Sequence, residues 1–298
     1  MRTLLEFLRS VKASTNKIDS AQISRCVSNV WYFWEMVSVV IPVYNKVELT
    51  NRCLDSLISN SRALSEVFVV DNASTDSTPE TLLQWRVRFQ ELNIPLRILK
   101  NEKNEGFGRA CNQGIRLATG DFVAIVNNDT WMMKGWDQAL IDETSNRELD
   151  EVGPFFDERP WTENPQARAD EFLRRNLNGF RQHFVAMLMF FTRSAVDRLR
   201  YSHGGLFDER FFVTFEDGDL LQRMKIAGIR YGQTSRCYIW HHSKGTRGSG
   251  SLLPTNYEQE GRRLFEEKWG GYPVYLDHTL LERLKRRYRA LRAARGMF

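Results

Sequence analysis

The sequence predicts an α/β fold, a mostly parallel central sheet flanked by helices, with helical additions at the N and C termini. Three observations predict it. From Val37 onward, short β-branched runs alternate with amphipathic stretches, the pattern of a parallel sheet with helices on both faces. Four polar clusters fall where a predicted strand stops or a helix opens: Pro42 to Asn45, Asp71 to Asp76, Asn127 to Asp129 and Glu216 to Asp219. Ligands of open α/β sheets bind beyond the carboxyl ends of the strands, so polar side chains gathered there mark a site. Finally, 298 residues with 42% hydrophobic and 12% aromatic content suffice for one large core with terminal additions.

The elements follow in order. Leu4, Leu5, Leu8 and Val11 recur at helical spacing, so residues 1–34 predict an N-terminal helical extension. The domain expected at 35–253 begins with a strand at 37–41, a helix over about 46–59, a strand at 66–70 and a helix over about 77–90. A short strand (96–99), a helix from Gly106 to Ala118 and a strand (121–126) come next. Residues 130–183 are less regular, with Trp131, Trp136, Phe155, Phe156 and Trp161 set among Pro154, Pro160 and Pro165. Long loops of that kind are often functional. An apolar strand (184–191), a helix from Arg193, a turn-rich stretch (204–212) and a helix from Glu216 to Gly228 follow. Short strands near 229–232 and 236–240 reach His241 and His242, and 244–251 predicts a mobile loop. The C-terminal segment, 254–298, predicts helices at 256–268 and 278–294.

Charge and cysteines exclude several classes. Residues 1–34 carry +3 and residues 281–298 carry +6, so the middle of a chain of net charge +5 is acidic, near −4. A nucleic-acid-binding core would be basic, and that partner is excluded. Four cysteines without paired spacing (Cys26, Cys53, Cys111, Cys237) read as reduced thiols and imply a cytoplasmic protein. No apolar run is long enough to span a bilayer, and no secretory leader is evident. The basic 278–294 helix places Leu281, Leu284, Tyr288 and Leu291 on one stripe. Two readings stand for it: contact with the inner face of a membrane, or packing on the domain or in a homodimer.

The polar clusters carry the chemistry. Asp71 can accept a hydrogen bond from a base imide or ribose hydroxyl, or serve as an Asx-turn and helix cap with Asn72, Ser74 and Asp76. Asn104, Gly106 and Arg109 open a helix whose N-terminus favours negative charge. There is no GxGxxG after the first strand and no Walker lysine motif, which counts against dinucleotide and P-loop sites. Asp129 could present an oxygen to a divalent cation, with His241 or His242 completing the site from afar. Glu216, Asp217 and Asp219 sit in one helical turn, where dipole compensation covers Asp219 but accounts poorly for three acids after an apolar stretch. A carboxylate there suits a general base.

The ordered set SVVIPVYN, VVDNASTDST, NEGFGRACNQGI, GDFVAIVNND, FEDGDLLQRMKIAG and IWHHSKGT resembles the family-2 glycosyltransferases of the GT-A fold, over roughly residues 37–250. It is most similar to bacterial rhamnosyl- and N-acetylhexosaminyl-type transferases that build surface polysaccharides. The resemblance implies an inverting transfer from a nucleoside-diphosphate sugar, UDP or dTDP, to a hydroxyl of a glycan or polyprenyl-linked acceptor. Pro42, Tyr44 and Asn45 match the loop around base and ribose, and Asp71, with Asn72 and Ser74, the carboxylate that pairs with the base. Asn104, Gly106 and Arg109 match the stretch near ribose and diphosphate, with Asn112 one turn on. Asn127, Asn128 and Asp129 stand at the Asp-x-Asp position, so Asp129 and His241 are the implied ligands of Mn²⁺ or Mg²⁺. Asp217 matches the catalytic base, with Glu216 beside it. Asn127 replaces the first Asp of many members, which leaves one carboxylate where they have two. Rival readings are a protein-directed glycosyltransferase, a non-catalytic nucleotide-sugar-binding protein and a nucleotidyltransferase. The last should carry a Gly-rich basic loop where this chain has PVYNKVEL.

Overall fold

A computed structural model describes residues 35–176, 178–242 and 256–271. The helical reading of 1–34, the 244–251 loop and the basic 278–294 helix lie outside the described residues. The chain divides into two compact units between Met36 and Val37, and every described strand and helix belongs to the second.

Strand and helix alternate as β1 (Val37–Val43), α1 (Val47–Asn60), β2 (Leu64–Asp71), α2 (Thr78–Glu91), β3 (Leu96–Lys100), α3 (Phe107–Leu117) and β4 (Phe122–Val126). β5 (Thr130–Met132), α4 (Trp136–Arg147), β6 (Glu151–Asp157), α5 (Pro165–Arg175) and β7 (Phe180–Arg181) come after them. The remainder is β8 (Leu188–Thr192), α6 (Arg193–Leu199), α7 (Glu216–Ile226), β9 (Tyr231–His241) and α8 (Tyr257–Trp269). The sheet runs β3-β2-β1-β4-β8-β6-β9-β5, with β7 on β9. The first four strands are parallel, and β8 enters antiparallel to β4.

Helices on both faces explain why β4 and the central stretches of β1 and β2, residues 39–41 and 67–70, read as continuous apolar runs rather than alternating ones. Val39 and Ile41 join Leu54, Leu57, Phe89 and Trp136 on one face. Val40 and Phe68 join Cys111, Ile115, Phe207 and Leu220 on the other. Cys53, Cys111 and Cys237 are free and buried.

Two expectations need adjusting. Residues 130–183 supply three strands and two helices, β6 among them; its register on β9 shifts between Pro154 and Phe155, so a bulge absorbs the proline that disguises the strand. The strands expected at 229–232 and 236–240 are one strand, β9, continuous from Tyr231 to His241.

β6 also carries an oddity. Glu151 is fully buried between Phe191 of β8 and Tyr231 of β9, and neither carboxylate oxygen has a hydrogen-bond partner. Burial pushes its carboxyl well above the ordinary value. An acid whose pKa rises on folding favours the fold most below its unfolded value and loses that contribution as pH climbs through the folded one. Glu151→Met keeps the volume and removes the polar group, so it should stabilise by about 1–3 kcal/mol at neutral pH. Thermal unfolding at pH 5 and pH 8 checks this: the gain should be larger at pH 8, and a loss at both would refute it.

Candidate active site

The loops after β1 and β2 form one bonded unit. Val43 lies opposite Asp71 in the parallel register, and the Asn72 N–H donates to the Val43 carbonyl at 2.7 Å. Asp71 Oδ1 accepts from the Ser74 N–H at 2.9 Å across a turn that needs a left-handed Ala73. Ser74 Oγ accepts from the Asn45 N–H at 2.8 Å, and Asn45 Oδ1 accepts from the Thr75 N–H at 2.7 Å. Pro42 and Tyr44 are half-buried at the same strand end. Asp71 is 1% exposed, so the sheet holds a carboxylate at its rim.

Asn72 and Asn112 are committed to the protein. The Asn72 amide donates to Asn104 Oδ1 and the Gly106 carbonyl, at 2.8 and 3.1 Å. Its oxygen accepts from the Asn101 amide and the Glu105 N–H, both at 2.9 Å. That fills its capacity and fixes the 101–106 loop over Asp71. Gly106 caps α3 at φ 86°, and a Cβ there would lie 2.2 Å from the Phe212 carbonyl oxygen. Close approach lets the Phe107 N–H donate to that oxygen at 2.8 Å, tying α3 to the segment that leads into α7. Asn112 accepts from the Leu206 and Phe207 N–H groups and donates to the Phe207 carbonyl and Glu209. Arg109 points the same way, its Nε donating to the Glu209 carbonyl at 3.0 Å.

The second cluster sits between β4 and β5. Asn128 turns inward and donates to Thr50 of α1 at 2.9 Å. Asn127 and Asp129 each keep a buried Oδ1 without a hydrogen-bond partner. Antiparallel pairing of β5 with β9 sets Thr130 opposite His241, and the His242 N–H donates to the Asp129 carbonyl at 2.9 Å. His241 Nε2 then lies 3.3 Å from Asp129 Oδ1, an ion-pair distance that does not meet hydrogen-bond geometry. Its Nδ1 is 3.0 Å from Glu158 Oε1. Burial works against charge on this imidazole, yet Asp129 and then Glu158 outweigh it and hold the pKa above the ordinary value. His242 tilts against Trp240 instead.

At α7, Glu216 is buried and Asp217 half-buried, after Phe215 in a left-handed conformation. Asp217 Oδ1 accepts from the Gly218 N–H at 2.7 Å. Asp219 turns away from this edge: it is fully buried and meets Trp269 Nε1 at 3.0 Å, Lys268 Nζ at 2.6 Å and Arg223 Nε at 3.1 Å. Lys268 also donates to Asp208 at 2.7 Å and to the Tyr201 hydroxyl at 2.8 Å. Gly261 admits Thr214 and Phe215, and Phe265 packs on Phe215 at 5.9 Å, so α8 braces the segment that delivers Glu216 and Asp217. Glu158, Asp208 and Lys268 escape sequence reasoning; no spacing signals them, because each is placed by an element far off in the chain.

The model for glycosyl transferase family 2 matches residues 38–203, over half of the chain. The chain belongs to glycosyl transferase family 2. Among curated relatives of the family, it is 34% identical over 119 residues to glycosyltransferase AglE of Haloferax volcanii, covering 39% of this chain and 38% of that one. It is 32% identical over 98 residues to a poly(ribitol-phosphate) β-glucosyltransferase of Bacillus spizizenii, covering 32% of this chain and 15% of that one. The chain therefore spans well under half the length of these two relatives. Among solved structures, the mannosyltransferase PcManGT of Pyrobaculum calidifontis, in complex with GDP-Man and Mn²⁺, aligns with TM-score 0.54 at 23% identity. That alignment covers 72% of this chain and 60% of the other. S. aureus TarS 1–349 with UDP-GlcNAc aligns with TM-score 0.55 at 18% identity, covering 77% and 65%. At these identities the likeness establishes the family's GT-A fold.

Among the described residues, no helix is long and apolar enough to cross a membrane, and no group of three or more His, Cys, Asp or Glu could hold a metal ion. The donor set does fit a divalent cation as an open two-ligand site. Asp129 Oδ1 is buried and unsatisfied, and an imidazole nitrogen faces it. A hard cation takes its remaining oxygens from a diphosphate and water.

Proposed function

We propose that this chain is an inverting glycosyltransferase that moves a sugar, rhamnosyl or N-acetylhexosaminyl, from a UDP or dTDP donor to a hydroxyl of a glycan or lipid-linked acceptor in surface polysaccharide synthesis. The observation that carries the reading is the pairing of a buried, unsatisfied Asp129 oxygen with His241, delivered by β5 and β9 to the rim that also holds Asp71. In this reading Asp71 pairs with the base, and Pro42, Tyr44 and Asn45 flank the nucleoside. The unsatisfied Asn127 Oδ1 accepts from a donor hydroxyl. Asn72, Asn104 and Gly106 shape the diphosphate side through backbone placement rather than by direct contact.

Asp129 and His241 would hold Mn²⁺ or Mg²⁺, which supplies charge to offset that developing on the leaving diphosphate. Asp217 takes the proton of the acceptor hydroxyl, which attacks the anomeric carbon opposite the diphosphate. Glu216 positions donor or acceptor beside it. The PcManGT and TarS complexes with nucleotide-sugars support this class of donor.

A thermal-shift screen of the full chain against UDP-, dTDP- and GDP-sugars, with and without Mn²⁺, tests it. A saturating UDP- or dTDP-sugar should raise the melting temperature by roughly 5 °C or more, and only with the metal present. No shift with any donor would refute nucleotide-sugar binding, and a GDP-sugar preference would refute the choice of base.

A further inference from the structure

β6 and β9 run parallel with Asp157 opposite Trp240, so the next residue of each, Glu158 and His241, arrive side by side. Glu158 is exposed, but the residues on either side of it are tied down. The Arg159 N–H and guanidinium clamp onto Asp157, and Trp240 Nε1 donates to the Arg159 carbonyl at 2.7 Å. Glu158 Oε1 then sits 3.0 Å from Nδ1 of His241, while Asp129 Oδ1 sits 3.3 Å from Nε2. The two nitrogens face opposite sides of the ring, so the two carboxylates cannot share one ion. A neutral imidazole offers a lone pair from one nitrogen and keeps its proton on the other; the hydrogen bond at the second decides which.

We infer that Glu158 is a positioning residue: it holds the His241 proton on Nδ1 and so presents the Nε2 lone pair, beside Asp129, to the divalent cation. With a cation held there, Nε2 would bind it without a proton, and the Nδ1 proton would stay with Glu158. The carboxylate also makes the imidazole a better donor, as such partners of metal-binding histidines do. This inference rests on the proposed roles of Asp129 and His241 as metal ligands. It also accounts for the choice between neighbouring histidines, since His242 packs on Trp240 and has no carboxylate behind it among the described residues.

The test counts free Mn²⁺ by electron paramagnetic resonance in titrations of the full chain, with UDP and separately with GDP. Glu158→Ala should bind Mn²⁺ about 10- to 100-fold more weakly than wild type. Glu158→Gln, a neutral acceptor, should fall between them, and the melting temperature without metal should not change. ¹⁵N NMR of His241 should show the Nδ1–H tautomer in wild type and its loss in Glu158→Ala. His241→Ala is the control: if it binds Mn²⁺ like wild type, or wild type binds none, the metal assignment falls and the inference with it. If His241→Ala is weakened while Glu158→Ala is not, the metal assignment stands and the role of Glu158 is refuted.

Discussion

Asp217→Asn is expected to lower kcat by about 10²–10⁴-fold while leaving donor affinity close to wild type. The amide keeps the shape and can still accept from the Gly218 N–H, so the first turn of α7 should stay in place. It cannot take a proton from the acceptor hydroxyl. The bonded unit of Asn45, Asp71 and Ser74 proposed to hold the nucleoside hangs from β1 and β2 rather than from α7, so binding of the donor should not feel the change. Steady-state kinetics with a titration of nucleoside diphosphate separates the two. Transfer at near wild-type rate would remove Asp217 from the role of base, and a matching loss of donor affinity would make it a binding residue instead. Asp219→Asn makes an informative companion: Asp219 points into the Lys268–Trp269 network, so its loss should show in melting temperature first.

The parts of the site that are legible in the sequence are those in which one short segment does one job. Asp71 and Asp129 are legible because an apolar run stops just before each: Asp71 is the last residue of β2, and Asp129 comes three residues after β4. The residues alone leave His241 and His242 both open as the partner of Asp129; the choice of His241 comes from family resemblance, since it depends on β5 lying antiparallel to β9. Asn72 illustrates the limit from the other direction. Its place beside Asp71 suggests a ligand contact, but four hydrogen bonds to Asn101, Asn104, Glu105 and Gly106 leave the side chain no capacity for one. Asn128 is ambiguous in the same way until the turn between β4 and β5 brings its amide to Thr50. Pro154 hides β6, and with it Glu158 and Glu151, because a proline in a strand reads as a break unless the partner's bulge is known. Asp219 looks like a carboxylate balancing the helix dipole; three-dimensional packing makes it the anchor of α8, a helix well beyond it in the chain.

That anchor carries the second large effect. Lys268→Met should destabilise the protein by about 3 kcal/mol and lower kcat together with it. The ammonium lies within 2.7 Å of Asp208 Oδ2 and 2.6 Å of Asp219 Oδ1, and both carboxylates are buried. Removing one partner of a buried ion pair leaves charge without compensation, a larger loss than the pair's net worth. Arg210 remains on Asp208 and Arg223 on Asp219, which keeps the loss at the lower end of the usual range. Burial disfavours the lysine's charge, but Asp208, Asp219 and Tyr201 reverse that and hold its pKa above the ordinary value. Its contribution is therefore complete below pH 10.5 and is lost only as pH rises through the elevated value. Burial likewise disfavours the charged Asp208, yet Arg210 and Lys268 hold its carboxyl below the ordinary 3.8, so its contribution is present above that value and lost in acid. Between those limits the network holds α8 against Thr214 and Phe215, and hydrogen exchange over 211–220 should quicken in the Met variant. Lys268→Arg should recover part of both stability and kcat, since a cation returns with different geometry. A Met variant that melts within half a kcal/mol of wild type, judged against the ~0.5 kcal/mol scatter of ordinary surface substitutions, would show that the arginines alone carry the network.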